Sequence, residues 1–204
     1  MPGVEPGELL RVASLCRAVL EPFAVDADWS VPAGELEWSC RTTLAHLLSA
    51  LQYYSVNLAT QSETERSGGQ ANESLPIDVL LDALEGRAAV LASVCSAAPP
   101  GARGGHSYGR SDVDGFVAMG CDELIVHSDD IAAGLGASFT PPPDVCEAVL
   151  ARLFPWAPRD SDPWATLRWA NGRAALGERA RLDPEWVWHS GPLEEWDGTD
   201  PNAA

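Results

Sequence analysis

The sequence predicts an all-α protein: four long helices, one shorter helix, and a Trp-rich tail that wraps back on them or covers a dimer face. Three observations carry this. Apolar residues recur at helical spacing through five separate segments, Ala and Leu outnumber Ile, Thr and Tyr, and the periodicity stops where six of the eight Trp crowd together with Pro and Gly. A chain of 204 residues fits one domain. Residues 1–155 read as the helical body and 156–204 as the tail.

The first helix is predicted from Pro6 to Val25, where Leu9, Val12, Cys16, Val19 and Phe23 share one stripe. A loop with Trp29 and Trp38 follows, both expected to act as anchors. Ser39 then caps a second helix running to about Ser62, with Leu44, Leu47, Leu48, Leu51, Tyr54 and Leu58 toward the core. His46 lies in that run, on the neighbouring face with Ala50, Tyr53 and Asn57. Residues 63–74 are polar and Gly-containing and are expected to form an exposed loop without chemistry. Pro76 opens a third helix through about Ala98, with Val79, Leu80, Leu84, Val90, Leu91 and Val94 as core positions. The Gly-rich segment 101–110 has neither P-loop nor dinucleotide spacing and reads as a loop; Arg103 and His106 are expected on its exposed surface, within reach of a ligand.

The fourth helix, Ser111 to Gly136, organises the rest. Ser111 supplies an N-cap with Asp114 three residues on, and Gly134 and Gly136 supply the stop. On it Phe116, Gly120, Glu123, His127 and Ile131 form one stripe, so a carboxylate and an imidazole lie one turn apart on an apolar face. An unpaired carboxylate there is costly, and a metal ion would satisfy both side chains. His46 is the candidate third ligand. A fifth helix, Pro143 to Phe154, precedes the tail, in which WATLRWANGR reads as a short extended piece and His189 as an acid/base candidate or a packing residue.

Charge excludes some functions. Thirteen basic residues, every one an Arg, face thirty acidic ones for a net charge of −17, so the surface repels phosphate backbones and anionic membranes alike. The five Cys are scattered without a C-x-x-C pair and read as reduced thiols. The N-terminus shows no leader pattern, and no apolar run is long enough to span a bilayer. A cytoplasmic location is the expectation.

Two stretches resemble the DinB-like helical bundle superfamily, specifically the N-terminal domain of mycothiol-dependent maleylpyruvate isomerases. Trp38 to Leu48, WSCRTTLAHLL, is similar to the family's Trp-x-x-x-x-x-Leu-x-His-Leu segment, and Glu123 to Gly136, ELIVHSDDIAAGLG, to its Glu-x-x-x-His-x-x-Asp-hydrophobic-Ala-x-x-Leu-Gly segment. LRWANGRAAL is a weaker likeness to its Gly-Arg element. The resemblance implies an up-down four-helix bundle, with the metal ligands falling on His46, Glu123 and His127. It further implies zinc or another divalent metal, and mycothiol or a related small thiol whose sulfur binds that metal and attacks a small-molecule electrophile. Asp130 matches the family's Asp, either as a partner behind a ligand or as part of a solvated face. Where the family often has Cys-Pro-Gly-Trp, this chain has GELEW, and after the fifth helix it is not expected to hold the isomerases' sterol-carrier-like domain. A metal- and thiol-dependent transferase or isomerase is the leading expectation. A non-catalytic module with a structural metal or a dimerisation role, and a non-haem Fe(II) enzyme using the same ligands, are the alternatives.

Overall fold

The computed structural model describes residues 4–202. Among them the chain is mainly helical: α1 (Gly7–Leu20), α2 (Cys40–Thr60), α3 (Ile77–Ala97), a hairpin of β1 (Arg103–His106) and β2 (Gly109–Asp112), then α4 (Val113–Gly134), α5 (Pro143–Leu153) and α6 (Pro163–Ala170). Helices α1 and α2 each pack on α3 and α4, and α5 joins α4 to α6. No described helix is long and apolar enough to cross a membrane.

Helix α4 is the centre of this arrangement. The sequence predicts one inward stripe, but α4 touches α1, α2, α3 and α5, and nearly all its residues from Gly115 to Cys121 and from Leu124 to Val126 are inside. Gly120 permits the close approach: a Cβ there would lie 2.6 Å from Leu9 and 2.8 Å from Leu91. Ser39 caps α2 as expected, its side chain accepting the Thr42 N–H. Trp29 is buried, with its indole N–H donated to the Phe23 carbonyl at 2.9 Å. Trp38 instead stands 46% exposed.

Several expectations are corrected. Residues 103–112 form an antiparallel hairpin rather than a loop, with His106 paired to Gly109. Gly104 and Gly105 make this geometry available, since a Cβ on Gly104 would meet the Asn57 carbonyl and one on Gly105 the Thr64 backbone, each at 2.5 Å. Ser111 and Asp112 both close β2, and the α4 cap falls on Asp112, whose carboxylate accepts the Gly115 N–H at 2.9 Å and also the Arg152 guanidinium at 2.6 Å. On α3, Val79 and Val90 face solvent, while Leu81, Ala88 and Ala92 are buried beside Leu80, Leu84 and Leu91. The inward stripe is therefore centred slightly to one side of the predicted one. WATLRWANGR contributes to a helix, α6, started by Asp162 accepting the Ala165 N–H and by Pro163 in the first turn. Eight residues are too few for a helical period to stand out.

Residues 63–74 are largely exposed, as expected, but they are tied to α2. The Asn57 side chain accepts the Arg66 N–H at 2.6 Å and donates to the Arg66 carbonyl, and Ser49 accepts the Ala71 N–H at 2.9 Å. The segment thus becomes one wall of a cleft.

Replacing Gly120 with Val would drive two methyls into Leu9 and Leu91. The expected cost is about 1–3 kcal/mol of stability, read as a lower urea midpoint with unchanged slope.

Candidate metal centre

Helix α2 carries His46 and helix α4 carries Glu123 and His127, and the packing of α2 on α4 brings the three together. One ligand atom from each lies within 4.8 Å of the others. Glu123 Oε2 stands 3.3 Å from His127 Nε2 and 3.7 Å from His46 Nε2. Donors about 2.0–2.1 Å from a tetrahedral zinc ion lie about 3.3 Å apart; the Glu123–His127 pair has that spacing and the Glu123–His46 pair is wider. The carboxylate fits a divalent ion. Its Oε1 accepts the buried Tyr54 hydroxyl at 2.8 Å, whereas Oε2 is buried without a hydrogen-bond partner among the described residues. A buried, unpartnered anionic oxygen between two imidazoles is what a cation would complete.

The site is held from behind. Asp130 Oδ2 lies 3.2 Å from His127 Nδ1, and Arg173, 43 positions further on, clasps the same carboxylate with contacts of 2.9 to 3.2 Å. Burial would raise the Asp130 pKa, but His127 and Arg173 outweigh it and hold the group ionised. An ionised carboxylate only accepts, so Nδ1 must carry the proton, and the lone pair of neutral His127 falls on Nε2, toward Glu123. Trp38 packs on the other imidazole, its ring centre 4.9 Å from that of His46.

Without a cation, the charges pair among themselves. Burial would raise Glu123, but His127, His46 and Tyr54 pull it down to about 2. Burial would lower His127, but Asp130 and Glu123 lift it to about 9. His46 is lowered, by desolvation above all, against the opposing pull of Glu123. The His127 proton and a metal ion thus compete for one lone pair.

His46 and Glu123 open on a cleft of about 390 Å³ whose walls include Tyr53, Tyr54, Gln70, His106 and Trp188. His106, expected on an exposed loop, is corrected to a position in this wall, because the glycine-rich hairpin folds back on α2. Arg103 does not reach the cleft; it pairs with Glu195 at 2.8 Å. The His189 ring stands 3.0 Å from the Pro192 carbonyl and is not brought to the ligands. Two residues that support the candidate site are not signalled by spacing. Tyr54 reads as core, and only its phenol, which needs a buried partner, marks it. Arg173 lies in the LRWANGRAAL stretch, but nothing local ties it to Asp130.

These features define a helical protein with a candidate three-residue metal site between two facing helices, open to a cleft. The chain matches the mycothiol maleylpyruvate isomerase N-terminal domain family over residues 10–132, more than half its length, and belongs to that family. The match takes in His46, Glu123, His127 and Asp130. No curated protein and no solved structure matches the chain.

Zinc uptake is expected to displace the His127 proton, so that affinity rises about tenfold per pH unit between pH 6 and 8, measurable by competition with a chelator. Asp130→Asn, which frees the His127 tautomer, is expected to weaken zinc binding by about 10–100-fold in the same assay.

Proposed function

We propose that this protein is a metal-dependent enzyme of small-thiol chemistry, a transferase or isomerase. In this reading α1 to α4 form an up-down DinB-like bundle, residues 156–204 pack on it as a tail, and His46, Glu123 and His127 hold zinc. The observation that carries it is the buried, unpartnered Glu123 oxygen set between two imidazoles at the floor of a cleft. The family match supports mycothiol as the thiol.

When bound, the metal lowers the pKa of a coordinated thiol and holds it as a thiolate. The chain supplies the setting. Tyr54 fixes one oxygen of Glu123, which leaves the other for the ion. Asp130 and Arg173 keep the His127 proton at Nδ1. The cleft walls give an electrophile a place beside the ligands and limit its contact with water.

The protein's own cysteines support an external nucleophile. All five are buried and unpaired, and burial pushes Cys16, Cys95 and Cys146 up to about 12 and Cys40 up to about 11. Cys121 is raised well above its ordinary value by the same cause. None is poised as a thiolate at neutral pH.

Elemental analysis of purified protein is expected to find about one zinc per chain, lost in His127→Ala. A thermal-shift series is expected to show stabilisation by zinc that mycothiol enhances. Wild-type protein that stays metal-free after exposure to zinc would sink the proposal, and iron in place of zinc would move the chemistry to oxygen.

A further inference from the structure

His106 projects from the hairpin into the cleft, where four aromatic rings from three parts of the chain surround it. Its ring centre lies 5.9 Å from Tyr53 and 6.0 Å from Tyr54 on α2, 5.4 Å from Tyr108 in the turn, and 5.5 Å from Trp188 in the tail. Its Nδ1 accepts the backbone N–H of Tyr108 at 3.2 Å. A ring nitrogen that accepts carries no proton, so in the neutral imidazole the proton is on Nε2. No hydrogen bond within the described residues uses that Nε2–H. The aromatic collar also keeps the ring uncharged, since burial pushes its pKa down to about 4 against the pull of Glu123 and Glu65.

The rest of the cleft agrees with an uncharged donor. No Arg or Lys lines it, and Glu123, from its floor, and Glu65, beside Tyr53, both act on His106. With a thiolate on the metal, that thiolate and Glu123 would balance the ion's charge, so a carboxylate entering along the collar would give up water without meeting a net positive charge, and a planar apolar body would lie against rings.

Resting on the reading that the metal side of the cleft holds the thiol, we propose that His106 is the specificity-determining residue of the other side. Its Nε2–H donates to a carbonyl or nitro oxygen of an uncharged, planar electrophile, and carboxylate-bearing analogues are rejected.

The probes are 4-nitrobenzamide and 4-nitrobenzoate, alike in ring and different in charge, titrated into the zinc-treated protein with saturating mycothiol at pH 7 and followed by NMR. The amide is expected to bind at least tenfold more tightly. His106→Phe, which keeps a ring in the collar and removes the donor, is expected to weaken amide binding about tenfold and to leave the weak carboxylate binding nearly unchanged. His106→Gln, which restores an N–H donor, is expected to recover part of the loss. Equal or tighter carboxylate binding by the wild type would overturn the proposal without recourse to a variant. So would an unchanged amide affinity in His106→Phe whose melting temperature matches the wild type. Zinc content measured on the same samples separates the two readings: a zinc-free protein that still discriminates sinks only the thiol chemistry, and a zinc-loaded one that does not discriminate sinks only the role of His106.

Discussion

The burial of the Glu123 carboxylate is the constraint on which the structure depends. Its side chain is 12% exposed, on a helix enclosed by four others, and a charge placed there costs several kcal/mol unless neighbours offset it. The offset comes from two helices: Tyr54 and His46 from α2, and His127 from the next turn of α4. The charge therefore sets how α2 lies along α4. A slip of one helical turn would part Glu123 from Tyr54 and His46 and leave the anion unpaired. Gly120, by letting α1 and α3 approach, supplies the packing that holds the register.

Around this charge the groups alternate in sign: carboxylate, imidazole, carboxylate, guanidinium, in the order Glu123, His127, Asp130, Arg173. Such a sequence fixes protons as well as positions, because Asp130 must accept from both His127 and Arg173. Asp122 extends the buried polar set without joining it. Its pKa is raised to about 7 by desolvation and by the charge of Glu123, while a hydrogen bond from Asn171 opposes the rise.

Helix existence was legible because periodicity and caps are local: Ser39, Pro76 and the stripes of α1 and α2 are written in consecutive residues. That the three candidate ligands come together was legible for a related reason. Glu123 and His127 are one turn apart, and His46 is a polar break in an apolar run. What escaped depends on long-range contact. The hairpin rests on Gly104 meeting α2 at Asn57 and Gly105 meeting the following loop at Thr64, both far earlier in the chain, and the place of His106 in the cleft wall follows from that fold-back. Tyr54 declared itself an apolar position by spacing, although its hydroxyl is what Glu123 requires. The α4 cap moved by one residue to Asp112, whose carboxylate is also held by Arg152 from far along the chain, and α6 was too short to show its period.

Arg173 gives the segment after α6 a part in the candidate site. The family segment ends at residue 132, and His46, Glu123, His127 and Asp130 all lie inside it. A fragment cut at that boundary would hold all three candidate ligands and still lack the guanidinium that clasps Asp130, and through Asp130 fixes the tautomer of His127. The constellation is therefore longer than the unit that heredity makes visible, and a transplant of it into another scaffold would have to carry the turn after α6 along with the helices.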